Sequence, residues 1–176
     1  FHVRDDTGSA VQSVGMIQDI TEQKQVENQI KEYANRLELT MEAANMAWWE
    51  MFVDSGNVNF SSKKTEMLSY SSDQFNHYHD FTKLVHPDDN EPMMTSMKSL
   101  LNGSGKKYDI EYRIKAQSGE YKWFHDIGTI TQKTNKGRPL KVSGIVIDIT
   151  ESKLTETYRE MTRNILQILN QASDLQ

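Results

Sequence analysis

Four histidines and an acidic run are the first candidates for chemistry in this chain. His77, His79, His86 and His125 are metal-ligand types, but the two-residue step from His77 to His79 suits neither a helix face nor a zinc-ligand pattern. His86-Pro87-Asp88-Asp89 reads instead as a turn into a helix, since acidic residues suit a helix N-terminus. The sequence has no cysteine, which excludes disulfides, Cys-ligated zinc, iron–sulfur clusters, covalent c-type haem and thiol catalysis. No nucleophile–base pair or paired carboxylate stands out at a plausible cleft, so an enzyme is not expected. What remains is binding and relay. Asp148 and Thr150 stand where a strand gives way to a charged helix. Thr150 is placed to cap that helix, and Asp148 to accept hydrogen bonds or pair with a cation. The same two residues also read as a purely structural cap.

An internal repeat locates that junction. Gly15-Met16-Ile17-Gln18-Asp19-Ile20-Thr21-Glu22-Gln23-Lys24 returns 129 residues later as Gly144-Ile145-Val146-Ile147-Asp148-Ile149-Thr150-Glu151-Ser152-Lys153, and Gly8 matches Gly137 at the same offset. That spacing is one domain plus a linker, too long for a solenoid repeat. Residues 1–21 are therefore expected to be the last strand of a preceding domain, either mobile or paired with another edge. Residues 22–44 are expected as a helical linker, 45–150 as a complete domain and 151–176 as an output helix. The chain opens on Phe1, so it is expected to be a segment of something longer. In the linker Val26, Ile30, Tyr33, Leu37 and Ala44 follow a 4-3 spacing; in the last segment Leu154, Tyr158, Met161, Ile165, Ile168 and Ala172 do so. Such narrow seams suit coiled-coil pairing, and a homodimer through these helices is expected.

Between the two copies the pattern reads two strands, several short helices, then three antiparallel strands. Ala47 to Val53 alternates and turns at Asp54-Ser55-Gly56-Asn57 into Val58-Asn59-Phe60. Trp49 and Met51 share one face of the first strand, Trp48 and Phe52 the other. Ser61 or Ser62 is placed to cap the next helix. A longer helix with Met93, Met94, Met97, Leu100 and Leu101 follows Asp88. Tyr108, Ile110, Tyr112 and Ile114 alternate with charged residues, and strands over 121–130 and 140–149 complete the set. The expected fold is α+β: one five-stranded antiparallel sheet with its helices on one face. The formal net charge of −5 gives no nucleic-acid footprint, and no apolar run approaches the ~20 residues that span a bilayer. A reducing, cytoplasmic setting fits a cysteine-free chain.

Ala44-Asn45-Met46-Ala47-Trp48-Trp49-Glu50, Asp54-Ser55-Gly56, His86-Pro87-Asp88-Asp89, Glu111-Tyr112-Arg113-Ile114, Gly119-Glu120-Tyr121-Lys122-Trp123-Phe124 and Gly144 through Thr150 together resemble the PAS family. The likeness is to the subgroup common in prokaryotic sensor histidine kinases, and it covers residues 45–150. Residues 1–21 resemble the tail of another PAS domain. Met51 stands where the subgroup often has a second tryptophan, and Pro92 falls early in the long helix.

The resemblance implies a sensory module of a multidomain signalling protein, with a neighbouring PAS domain and a downstream output or GAF-type domain as partners in the same chain. It also implies that the Trp49 face meets the helices together with Met51, Phe60, Met67, Phe81, Leu84, Met94, Tyr112 and Trp123, as pocket lining or as core. Apolar residues at such periods more often pack as core. Trp48 and Phe52, on the other face, are expected to meet the first linker helix or a dimer mate. The cofactor stays open. Without cysteine there is no flavin–cysteine adduct, and no histidine stands between Asp88 and Gly103, where haem-binding relatives carry theirs. No metal, nucleic acid or membrane partner is expected. A ligand-free dimerisation scaffold is the alternative, and a well-formed apolar cavity would count against it.

Overall fold

The computed structural model describes residues 2–4, 6–8, 10–13 and 19–173. The chain divides into two units, Phe1–Leu39 and Thr40–Gln176. In the first, β1 (His2–Arg4) pairs antiparallel with β2 (Ala10–Ser13), and α1 (Thr21–Ala43) begins. Where a single strand is expected, the described residues between 2 and 13 form two strands of one hairpin. Residues 14–18, which carry most of the repeated β-rich run, lie outside the described residues. Helix α1 has no buried residue, and Asp19 accepts the Thr21 N–H at 2.9 Å to start it.

The second unit holds β3 (Met46–Phe52), β4 (Val58–Phe60), α2 (Ser62–Glu66), α3 (Tyr78–Thr82), α4 (Pro87–Leu101), β5 (Tyr108–Lys115), β6 (Tyr121–Lys133), β7 (Pro139–Asp148) and α5 (Thr150–Ser173). Its sheet is antiparallel in the order β4-β3-β7-β6-β5, so the first and last long strands lie side by side at its centre. Alternation in β3 buries Ala47, Trp49 and Met51 and exposes Trp48 and Phe52. The buried face joins Leu68, Phe75, Phe81, Val85, Met93 and Leu100 in one core with Ile114, Phe124, Val142 and Val146.

The repeat reaches into strand register. Val3↔Gln12 and Arg4↔Ala10 in β1–β2 correspond, 129 residues on, to Gln132↔Lys141 and Lys133↔Pro139 in β6–β7. The register shift falls at the same step in both, and Gly8 (φ +85°) and Gly137 (φ +82°) turn both hairpins through the left-handed region that favours glycine.

Local chemistry sets the helix ends. His86 Nδ1 accepts the Asp88 N–H at 3.3 Å, and Pro87 takes the first helical position, where its missing N–H costs nothing. Asp89 then grips β5: its Oδ2 accepts both the Arg113 N–H and Nε–H at 2.8 Å, and Oδ1 accepts Nη2–H at 2.8 Å. Pro92 lies one turn deeper than a first-turn proline, yet α4 runs through it unbroken. Ser61 occupies the N-cap position of α2 without a side-chain bond, and Met67 and Leu68 follow the helix rather than lie in it. Among the described residues no helix is long and apolar enough to cross a membrane.

Trp49 crosses the sheet at its thinnest point. Gly144 pairs with Trp49 on one side and with Gly128 on the other, and the indole lies over both glycines. A Cβ at Gly144 would stand 2.3 Å from the Ile127 carbonyl oxygen and 2.7 Å from the ring. Gly144→Ala is therefore expected to lower stability by about 1–3 kcal/mol, read as an earlier urea midpoint; an unchanged midpoint would contradict the packing. Arg113 hydrogen bonds hold the Asp89 carboxyl below the usual carboxylate range. Its stabilisation is then complete above the unfolded value of about 4 and is lost as pH falls through the lower folded value. Asp89 is 17% exposed, and Asp89→Asn is expected to cost about 1–3 kcal/mol at pH 7. The gap to wild type should close below about pH 4.

Candidate functional site

The sheet, the short helices and α4 line a partly open cavity of about 270 Å³. Trp49, Met51, Phe81, Met94 and Tyr112, expected on this face, line it. Phe60, Met67 and Leu84 pack into the core around it; Phe60 sets its ring edge-on to Phe81 at 5.2 Å. Trp123 is a correction. In β6 the residues turned to the helices are Phe124, Asp126 and Gly128, which puts Trp123 on the opposite face. There Arg113 and Lys153 lie 5.5 and 5.4 Å from its ring centroid, a favourable seat for an indole.

The phase of β6 follows from Asp126. Its Oδ1 accepts the Trp49 Nε1–H at 2.6 Å and its Oδ2 accepts the Tyr112 hydroxyl at 3.0 Å. A carboxylate only 4% exposed is tolerable only with such donors. Tyr108 closes edge-on against Trp49 at 6.1 Å. Burial raises the Asp126 pKa, and the Lys64 charge and the two donors oppose it. Burial first, then the Asp126 charge, pushes the Tyr108 and Tyr112 phenols well above their usual range.

Lys64, from α2, also lines the cavity and is 7% exposed. Its ammonium lies 4.3 Å from the Phe81 ring centroid and 5.4 Å from that of Trp49. Burial lowers its pKa, with Asp126 acting against that shift. Lys64 and Asp126 carry the site's polar chemistry, and sequence reasoning missed both. The available signals were the i, i+4 step from Lys64 to buried Leu68 and the in-phase spacing of Asp126 with Phe124 and Gly128.

The histidines are held in structural roles or pair locally. His77 caps α3: Nδ1 accepts the His79 N–H, Nε2 donates to the Ser55 carbonyl at 3.1 Å, and Asp80 accepts the His77 N–H. His125 pairs with Asp109 at 2.7 Å. Among the described residues no cluster of three or more His, Asp or Glu is gathered to hold a metal.

At the end of β7 Asp148 accepts hydrogen bonds and pairs with a cation as expected, while the cap expected of Thr150 falls to Asp148. Asp148, not Thr150, caps α5, its Oδ1 accepting the Thr150 N–H at 3.0 Å. The Thr150 hydroxyl donates to Asp148 Oδ1 and accepts the Trp123 N–H of β6 at 3.0 Å. Lys122 pairs with Asp148 at 3.1 Å, and Lys153 reaches Glu111 of β5 at 2.7 Å. The first turn of α5 is thus fastened to two strands. Beyond it Leu154, Tyr158, Met161 and Ile165 are exposed, while the side chains of Ile168 and Ala172 lie outside the described residues. Trp48 and Phe52 are 42% and 39% exposed on the outer face of the sheet.

Residues 57–146 match the family model described as PAS fold. The chain is 29% identical over 127 residues to a blue-light-activated histidine kinase of Brucella ovis, covering 72% of this chain and 25% of that protein. It is 29% identical over 100 residues to a methyl sulfide methyltransferase-associated sensor of Methanosarcina acetivorans, 56% of this chain and 10% of that one. The chain thus spans a quarter or less of these curated relatives. Among solved structures, a sensory box histidine kinase/response regulator from Burkholderia thailandensis superposes with a TM-score of 0.63 at 25% identity, over 75% of this chain and 98% of that one. A domain of a putative light and redox sensing histidine kinase from Haloarcula marismortui gives 0.55 at 29% identity, over 66% and 99%.

Asp126→Ala would strand the Trp49 and Tyr112 donors and leave the Lys64 charge uncompensated. A loss of about 3–5 kcal/mol is expected in urea unfolding. Asp126→Asn, which keeps one acceptor oxygen, is expected to lose less. Equal losses in the two variants would contradict this account.

Proposed function

The chain belongs to the PAS fold family, and from that premise we propose that it is a sensory module that passes the state of its core to α5. The parent is a signalling protein of the sensor histidine kinase kind, working in the cytoplasm. The chain itself binds and relays, and catalysis belongs to other parts of the parent. The observation that carries this reading is the double role of β6. Its side chains deliver Asp126 to the cavity, while its Trp123 backbone N–H holds the Thr150 hydroxyl at the start of α5. A change at Asp126 that shifts β6 also shifts the seat of the helix, which is the two-state bias a relay needs.

Several features support the wider assignment. The cavity weighs against a ligand-free scaffold, which would be expected to pack solidly. The exposed apolar seams of α1 and α5 suit pairing with a second copy of the chain. The matched hairpin register and the matched Asp19–Thr21 and Asp148–Thr150 bonds support residues 1–21 as the end of a preceding PAS domain. Residues 22–44 are then a linker, 45–150 the sensor and 151–176 the output helix, leading to a further sensor or output domain. Trp48 and Phe52 would be covered in the assembled parent.

A histidine kinase catalytic core fused in helical register after Ser173 tests the relay. Asp148→Ala and Thr150→Ala are expected to leave the domain folded by circular dichroism and to change autophosphorylation of the core several-fold. Autophosphorylation equal to wild type in both variants would sink the relay reading.

A further inference from the structure

The cavity holds two opposite charges that do not touch. Lys64 and Asp126 both line it, and each feels the other's charge, yet no direct ion pair joins them. Asp126 is satisfied, with one donor on each oxygen. Lys64 is not: its ammonium rests over the Phe81 and Trp49 rings, and no acceptor among the described residues bonds to it. Ring faces attract a cation but accept none of its three N–H groups in a conventional hydrogen bond. Lys64 is 7% exposed, and its ammonium opens on the cavity, so its N–H groups are available to an acceptor that enters there.

The charge balance says what kind. Lys64 and Asp126 already cancel. An incoming anion would set two carboxylate-type charges around one ammonium at low dielectric, and an incoming cation would set two ammonium charges around one carboxylate. An uncharged acceptor satisfies Lys64 without disturbing the balance. Lys98 also lines the cavity, but it is exposed and solvent screens its charge, so the buried charges are those of Lys64 and Asp126 alone. Beyond a few hydroxyls the rest of the wall is apolar and yielding, with Met93, Met94, Met97 and Leu101 from α4 and Met51 of β3. Unbranched thioethers adapt to irregular apolar shapes. At about 270 Å³ the space is at the small end of ligand pockets.

Resting on the reading of this cavity as a sensory site, we infer that it binds a small uncharged molecule with an apolar body and one carbonyl head, an amide or lactam, whose oxygen accepts from Lys64. The body lies along the α4 methionines. Because the head meets Lys64 beside Trp49, occupancy bears directly on the Trp49–Asp126 bond and hence on β6.

The test follows the methionine methyl NMR signals while the chain is titrated with four probes: hexanamide, hexanoate, hexylammonium and headless toluene. Hexanamide is expected to shift the Met93, Met94 and Met97 methyls and to bind about tenfold more tightly than either charged analogue. Lys64→Met should erase that preference while toluene still binds. Asp126→Asn, which leaves the ammonium uncompensated, should turn the preference to hexanoate. Hexanoate binding wild type as tightly as hexanamide, or hexanamide binding Lys64→Met as tightly as wild type, overturns the inference. Toluene binding with no gain for hexanamide refutes the carbonyl head and leaves the cavity a ligand site. Failure of all four probes to shift those methyls removes the sensory-site reading and this inference with it. If either variant fails to fold, the wild-type ranking decides.

Discussion

A buried carboxylate organises this domain. Asp126 is almost fully enclosed, and an ion in that position persists only when the protein supplies donors and a counter-charge. The Trp49 indole reaches it by lying flat across Gly128 and Gly144, so the two central strand pairings must lack side chains at that crossing. Tyr112 reaches it from β5, and Lys64 supplies the opposite charge from α2. Four elements therefore have their relative positions set by one side chain. The inward face of β6 is fixed with them.

Much of this frame was legible in the sequence. Alternation separated the two faces of β3 and of β5 correctly; β5 has one apolar and one charged set, while in β3 both faces carry aromatics and the resemblance set the Trp49 face against the helices. In β6 the resemblance places Trp123 on the helix side, whereas the strand turns Phe124, Asp126 and Gly128 there. Hydrophobicity alone selects the wrong set, since the deciding contributions are a hydrogen-bonded carboxylate and a missing side chain. Neither is visible until Trp49 and Tyr112 are placed in space. Lys64 escaped for a related reason. A lysine between Lys63 and Thr65 in a short helix reads as solvated surface, and only the cavity behind it shows otherwise. At the junction Asp148 accepts hydrogen bonds and pairs with Lys122 as its type suggests, and only the cap differs. Thr150 reads as a cap by type, yet its hydroxyl faces the β6 backbone and leaves Asp148 to meet the helix.

The two sides of the sheet divide their chemistry. The inner side is apolar around two opposite buried charges, Lys64 and Asp126, that do not pair directly. The outer side carries exposed Trp48 and Phe52, the Glu50–Lys141 pair at 2.8 Å, and Trp123 between two cations. β6 links them, because alternate residues of one strand face both environments while its backbone holds the start of α5. Only a three-residue step separates Trp123, whose N–H holds Thr150, from Asp126, which faces the core.

The matched fastenings at Asp19–Thr21 and Asp148–Thr150 have an evolutionary consequence. Each begins a helix with an aspartate two residues before the threonine whose N–H it accepts. A genetic crossover at one Asp-Ile-Thr joined to the other would preserve the helix start and the helical phase that follows. Duplication or deletion between these seams adds or removes a whole 129-residue unit without a frame of mismatched linker. A lineage built on such joints can lengthen or shorten its sensor arrays by single recombination events, each product arriving with its helix already seated.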